Sequence, residues 1–178
     1  MMKKIVVIDN IVNELEQLYI KKHLFDDTKW SFIEDVSLKD NLHQRRPGFK
    51  QYFNTKNLND SIYNIVVNVR KKLKMKPLYA KGDILEARSF LQLPLNKEYI
   101  GEGVDTPHLD RTEPHLVFLY YVNDSDGDTL LFNDKLDIIR RVKPKKGRML
   151  LFEGNTLHTS SHPTKSDYRM CINIDYHD

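Results

Sequence analysis

The chain opens on an apolar run, Ile5-Val6-Val7-Ile8, that reads as a first strand. Ile11, Leu15, Leu18 and Tyr19 then recur at helical spacing, with Asp9 or Asn10 placed to cap that helix. Trp30-Ser31-Phe32-Ile33 predicts a short strand. Residues 42–57 carry Arg45-Arg46-Pro47-Gly48 and show no period, which predicts a long loop. Such a loop in a small domain is often a lid, the plainer reading being a connecting excursion. A second helix is clearer: Leu58, Ile62, Ile65, Val66, Val69 and Leu73 form one stripe, and Pro77 closes it. Arg70, Lys71, Lys72 and Lys74 fall at its C-terminal end, where cations suit the helix macrodipole. They read as a solvated face rather than a nucleic-acid grip.

From Gly82 onward the pattern changes to short extended runs divided by turns. Residues 83–93 alternate, with Leu85, Ala87, Leu91 and Leu93 on one face and Glu86, Arg88 and Gln92 on the other. Residues 115–122 are apolar on both faces, as a central strand should be. Asn123-Asp124-Ser125-Asp126-Gly127-Asp128 is a strong turn signal, and Pro144-Lys145-Lys146-Gly147 is another. Around these turns, residues 129–132, 136–142, 148–152 and 169–176 predict further strands. Many short strands at this spacing argue for a sandwich or barrel, mainly β with flanking helices. A single domain over residues 1–178 is expected, with helical support in 1–80 and a β core in 81–178.

Composition adds bounds rather than detail. A chain of 178 residues is long enough to bury roughly 70% of the surface it exposes when unfolded. Apolar residues make up 40% and charged residues 30%, ordinary for a globular protein. The net charge of +3 gives no reason to expect a nucleic-acid or membrane partner. Cys171 is the only cysteine, which excludes an internal disulfide and fits a reducing compartment. The apolar runs are too short for a bilayer span or a signal peptide, so a cytoplasmic protein is expected.

The chemistry centres on Thr106-Pro107-His108-Leu109-Asp110. In an extended segment His108 and Asp110 share one face, roughly 6.6 Å apart along the strand. Both could converge on one metal ion, and His158 in Gly154-Asn155-Thr156-Leu157-His158 is the candidate third ligand. Two histidines and one carboxylate form the facial triad of non-haem Fe(II) sites. Arg169, Cys171 and Asn173 share one face of the last strand, while Met170, Ile172, Ile174 and Tyr176 share the other. An arginine pointing into a barrel needs an anionic partner, and the carboxylate of an organic acid would supply one. The plainer reading is an amphipathic strand with Arg169 in solvent.

Taken together, these residues resemble the 2-oxoglutarate- and Fe(II)-dependent oxygenases. The resemblance rests on His108-Leu109-Asp110, Leu119-Tyr120-Tyr121-Val122-Asn123 and Gly127-Asp128-Thr129-Leu130-Leu131-Phe132. Pro144-Lys145-Lys146-Gly147-Arg148-Met149-Leu150-Leu151-Phe152, His158 and Arg169 complete it, over roughly residues 83–177. It is nearest to the prolyl-4-hydroxylase-like branch, among its compact bacterial and phage-type members. The resemblance implies a double-stranded β-helix (jelly-roll) core with N-terminal helices packed on one sheet. It implies iron on His108, Asp110 and His158, and the distal carboxylate of 2-oxoglutarate on Arg169 with Tyr121 assisting. Tyr120 would face the other way. Fe(II), 2-oxoglutarate and O₂ are the implied cofactors, with ascorbate a further candidate. The implied reaction is a hydroxylation that releases succinate and CO₂. Asp110 at the carboxylate position argues against halogenation.

Two departures stand out. The strand before the histidine reads Phe90-Leu91-Gln92-Leu93-Pro94, without the tyrosine that prolyl hydroxylases often place there; Gln92 is the candidate substitute. Collagen-type enzymes tend to use lysine where Arg169 stands. His115 reads as a satisfied strand-start histidine, His162 as a non-ligand, and Lys143, Lys145, Lys146 and Arg148 as a solvated turn. Arg88 is a candidate at the substrate mouth. A protein or peptide side chain, proline above all, is the favoured substrate. The alternatives are oxidative demethylation or hydroxylation of a nucleic acid or small molecule, and an inactive jelly-roll binding module.

Overall fold

The computed structural model describes residues 5–34, 46–75, 83–95 and 106–177. Among the described residues, two antiparallel sheets face each other. β1 (Ile5–Ile8), β2 (Ser31–Ile33), β3 (Gly48–Tyr52), β4 (Ile84–Gln92), β5 (Leu116–Tyr121), β8 (Met149–Glu153) and β10 (Arg169–Tyr176) build the larger sheet. Its order is β1-β8-β5-β10-β4-β3-β2. β6 (Thr129–Phe132), β7 (Ile138–Val142) and β9 (His158–Ser160) build the smaller, in the order β7-β6-β9. α1 (Glu14–Asp26) and α2 (Asp60–Lys72) cover the outer face of the large sheet. This is the jelly-roll core with helices on one sheet that the sequence motifs implied.

Period-2 alternation in the central strands explains the two layers of core. On β10, Met170, Ile172 and Ile174 turn outward and bury against Ile20, Leu24, Ile62, Ile65 and Val69 of the helices. On β5, Phe118 and Tyr120 do the same. The alternate positions Val117, Leu119, Tyr121 and Cys171 point between the sheets, where they meet Leu131 and Val142 of the smaller one. A one-residue slip of either strand would exchange these two sets, so the pattern fixes the register.

The second helix runs as its stripe predicts, with Ile62, Ile65, Val66 and Val69 fully buried. Pro77 lies outside the described residues. Arg70, read as part of a solvated face, is instead buried with its guanidinium 4.5 Å from the Tyr176 ring. The first helix differs more. Its cap is Asn13, neither Asp9 nor Asn10: Asn13 Oδ1 accepts from Glu16 N at 2.9 Å, and Glu16 Oε2 accepts from Asn13 N at 3.1 Å. That reciprocal pair satisfies two of the helix's otherwise unpaired amides. Its buried face is Gln17, Ile20 and Leu24, whereas Leu15, Leu18 and Tyr19 are exposed. The loop expected over residues 42–57 is corrected as well. Residues 42–45 lie outside the described set, but Gly48–Tyr52 is β3, pairing with β2 and β4 through Phe49↔Leu91 and Lys50↔Phe90. It escaped a periodic reading because Lys50, Gln51 and Tyr52 are not an apolar alternation. The front of the chain therefore supplies strands as well as helical support.

Candidate active site

The backbone itself brings His108 and His158 together. They form an isolated antiparallel bridge, His108 N donating to the His158 carbonyl at 2.9 Å and His158 N to the His108 carbonyl at 3.0 Å. Directly opposed side chains in such a pair project to the same face, and the two ring centroids lie 4.8 Å apart. Asp110, two positions on, returns to that face. One ligand atom from each of His108, Asp110 and His158 lies within 4.8 Å of the others.

The outer nitrogens fix the tautomers. His108 Nδ1 lies 2.9 Å from the Thr106 carbonyl, and His158 Nδ1 lies 3.1 Å from the Thr156 carbonyl. A carbonyl only accepts, so each Nδ1 carries the proton and each Nε2 the lone pair. His158 Nε2 then faces Asp110 Oδ2 at 3.4 Å, acceptor against acceptor unless a proton or cation lies between them. Burial opposes the charged form of His158, yet the Asp110 carboxylate raises its pKa overall. Burial likewise works against ionised Asp110, but His158 and then Arg88 hold it well below the usual carboxylate range. The centre of the cluster favours positive charge. Two imidazole nitrogens and a carboxylate oxygen in one pocket suit a divalent transition metal such as iron.

Beside this cluster the same pocket is lined by Arg169, Gln92, Thr129 and Ser160. Arg169 is buried, so the solvent-facing reading of its strand does not hold. Its Nε donates to the Gly127 carbonyl at 2.8 Å, Nη1 to Gln92 Oε1 at 2.7 Å and Nη2 to Thr129 Oγ1 at 3.0 Å. All three acceptors are neutral, so the guanidinium charge is oriented but not balanced by them. Tyr121 is fully buried with its ring 5.8 Å from the guanidinium and its hydroxyl donating to Thr129 Oγ1 at 2.7 Å. Burial pushes its phenol above the usual range, so it stays neutral. Tyr120 sits in the outer core under the helices. The pair thus divides as the strand alternation requires.

The Asn123–Asp128 turn signal proves to be a clasp. Asp126 accepts from the backbone amides of Thr164, Lys165 and Ser166 at 2.9–3.2 Å, tying the turn to the segment that leads into β10. That holds the Gly127 carbonyl against Arg169. A side chain at Gly127 would put its Cβ 2.4 Å from the Ser161 carbonyl oxygen and 2.9 Å from Arg169 Cδ.

The fold gathers His108, Asp110 and His158 and sets Arg169 in the same pocket, while Tyr121 lies in the core behind that lining, reaching it only through Arg169 and Thr129. His115 and His162 stand apart: His115 Nδ1 meets the Glu113 carbonyl at 2.6 Å, and His162 Nδ1 lies 3.3 Å from the Leu93 carbonyl. Arg148 and Lys145, in the basic turn, pair with Asp9 at the end of β1. Sequence reasoning missed Thr129, the Gly127 carbonyl and Asn173, whose Nδ2 donates to Asp110 Oδ2 at 2.9 Å. The signal available was the shared face of Arg169, Cys171 and Asn173. Arg88 is buried against Asp110 rather than placed at an open mouth.

A jelly roll that holds two imidazoles and a carboxylate in one pocket is the frame of a mononuclear non-haem metal enzyme. Residues 96–177 match the profile of the 2OG-Fe(II) oxygenase superfamily. That superfamily uses Fe(II), 2-oxoglutarate and O₂, and the donor set described above fits iron. Among solved structures, the chain is similar to a prolyl hydroxylase from Trichoplax adhaerens in complex with a hypoxia inducible factor peptide. That likeness has TM-score 0.66 and 14% identity, over 98% of this chain and 83% of the other. A viral collagen prolyl hydroxylase from Paramecium Bursaria Chlorella virus-1 gives TM-score 0.63 and 16% identity, over 96% and 94%. The non-heme alpha ketoglutarate dependent epimerase SnoN from nogalamycin biosynthesis gives 0.66 and 12%, over 99% and 79%. At these identities the likeness is one of fold. Among curated proteins no relative matches by sequence. No described helix is long and apolar enough to cross a membrane.

Proposed function

We propose that this chain is a 2-oxoglutarate-dependent hydroxylase acting on a side chain of a protein or peptide, with proline the favoured residue. His108, Asp110 and His158 would bind Fe(II), and Arg169 with Tyr121 would hold the distal carboxylate of 2-oxoglutarate. Bound iron and cosubstrate supply the oxidising power, with succinate and CO₂ as by-products. The observation that carries the reading is one pocket lined both by the His-Asp-His cluster and by a buried arginine whose partners are all neutral.

The protein's own tasks follow from its geometry. Thr106 and Thr156 carbonyls hold the imidazoles with Nε2 inward. Gln92, Thr129 and Gly127 aim the guanidinium, which can meet a carboxylate with paired hydrogen bonds. Phe152, whose ring centroid is 4.9 Å from that of His158, and Leu119 line the pocket with apolar surface that limits water. The likeness to the two prolyl hydroxylases supports a peptide substrate. The likeness to SnoN supports a second reading, a small-molecule substrate for the same centre.

The test is anaerobic addition of Fe(II) and 2-oxoglutarate, which should give a weak visible charge-transfer band; O₂ should then yield succinate. His108→Ala or Asp110→Ala should abolish both. Neither band nor succinate from the wild type would sink the reading. Mass spectrometry of proline-containing peptides for a one-oxygen gain separates the two substrate classes.

A further inference from the structure

Asp110 is held by a chain of charges that the proposed chemistry leaves unexplained. Arg88 Nη2 pairs with Asp110 Oδ1, and Asn173 Nδ2 donates to Oδ2 at 2.9 Å. Oδ2 is also the oxygen 3.4 Å from His158 Nε2, so it is the one turned to the centre of the cluster. Arg88 is itself enclosed. Its Nη1 pairs with Glu86, on the same face of β4, and lies 3.4 Å from Asp175 Oδ2 on the neighbouring β10. Glu86 reaches on to Arg111 at 3.5 Å, the residue immediately after Asp110. Two successive residues of the ligand-bearing segment are thus stitched to two same-face positions of β4: Asp110 to Arg88, and Arg111 to Glu86.

Three carboxylates around one guanidinium, nearly all of it out of water, is a costly arrangement. Arg88 and Asp175 are 6% and 1% exposed, and both Asp175 oxygens lack a hydrogen bond. A buried guanidinium can serve several carboxylates from separate, rigidly spaced nitrogens, as Nη2 serves Asp110 while Nη1 serves Glu86 and Asp175, which a point charge cannot do. A carboxylate that binds a metal through both oxygens at once would fill a coordination position that the chemistry needs open.

Resting on the metal-centre reading above, we propose that Arg88 is a positioning residue. It occupies Oδ1 of Asp110 and so presents Oδ2 alone to the ion, with Asp175 and Glu86 holding Arg88 in turn. Arg88 touches neither the ion nor the substrate.

Co(II) titration of the metal-free protein tests this, read by the visible ligand-field spectrum and by calorimetry. Arg88→Gln should weaken Co(II) binding about 10- to 100-fold, the usual effect of losing a partner behind a metal ligand, and should alter the band shape. Ile65→Ala, which loosens the distant helix packing, should lower Tm yet leave the Co(II) affinity and spectrum as in the wild type. Wild-type affinity and spectrum in a folded Arg88→Gln protein would overturn the role. If that variant does not fold, Arg88→Lys decides. It keeps the charge near Asp175 but loses the fork, so several-fold weaker Co(II) binding is expected, and wild-type binding would overturn the role. Failure of the underlying reading looks different: Asp110→Ala would then bind Co(II) as well as the wild type.

Discussion

Gln92 Oε1 accepts from Arg169 Nη1 at 2.7 Å, across strands that pair these two residues directly in register. The amide oxygen is therefore part of what aims the guanidinium, and Gln92 Nε2 is fixed in turn by Ser160 Oγ at 3.1 Å. Removing a neutral partner from a charged hydrogen bond costs about 1.5 kcal/mol or more, about tenfold in affinity. Gln92→Ala should raise the 2-oxoglutarate Kd of the Mn(II)-loaded protein by that factor while leaving the Mn(II) Kd unchanged. A 2-oxoglutarate Kd equal to that of the wild type would remove Gln92 from the pocket's working parts.

Gly127→Ala should act on the same arginine by crowding. The added Cβ meets a backbone carbonyl oxygen at 2.4 Å, which cannot swing aside as a side-chain end could. Overpacking of this kind costs about 1–3 kcal/mol. The expected result is a Tm lower by several degrees together with weaker 2-oxoglutarate binding. A variant that keeps both values would mean that the clasp shifts freely.

The first helix offers a paired test of which face carries stability. Leu24 is fully buried and Leu18 is 55% exposed. Leu24→Ala should cost about 2–5 kcal/mol, and Leu18→Ala should stay within about 0.5 kcal/mol. Urea unfolding of the two variants side by side checks it; equal losses would reverse the assignment.

Acid should loosen the joint between β1 and the turn before β8. The Arg148 hydrogen bond, helped by Lys145, holds Asp9 at about 2, below the ordinary carboxylate value, against an opposing push from burial. A depressed folded value means stability that is present above the unfolded pKa of about 4 and lost as pH falls toward 2. Because the Asp9 side chain is 39% exposed, the contribution is screened and of order 1 kcal/mol or less. The difference in stability between wild type and Asp9→Asn should be largest near neutrality and shrink between pH 4 and 2. A difference that does not change with pH would refute the pairing.

The strands buried on both faces were legible because nothing competes with their pattern. β5 and β10 show apolar runs or clean alternation, and their two faces separate in the structure as in the sequence. The face of α1 was not legible. Leu15, Leu18 and Tyr19 are the more apolar set, yet Gln17 is buried in their place because its Nε2 donates to the Val12 carbonyl at 3.0 Å. Its side chain also packs where a Cβ on Gly147 would come within 2.5 Å of it. A local side-chain hydrogen bond just ahead of the helix, together with packing on Gly147, outweighed residue type. In the site, His108, Asp110 and His158 were visible as residue types at a suggestive spacing. The parts played by Thr129 and Asn173, and the pairing of Arg88 with Asp110 in place of the substrate mouth expected for it, were not, since each acts through a partner 22 to 63 positions away that only folding brings near.

The single rung between His108 and His158 has a consequence for how the centre comes into being. Two donors locked to each other by reciprocal amide bonds at 2.9 and 3.0 Å cannot drift independently. Much of the ordering entropy that an ion would otherwise have to overcome is already spent when the sheets close. Loading is then closer to docking a key than to folding around a seed, and the metal-free chain should guard its two bridge amides against deuterium as firmly as the loaded one.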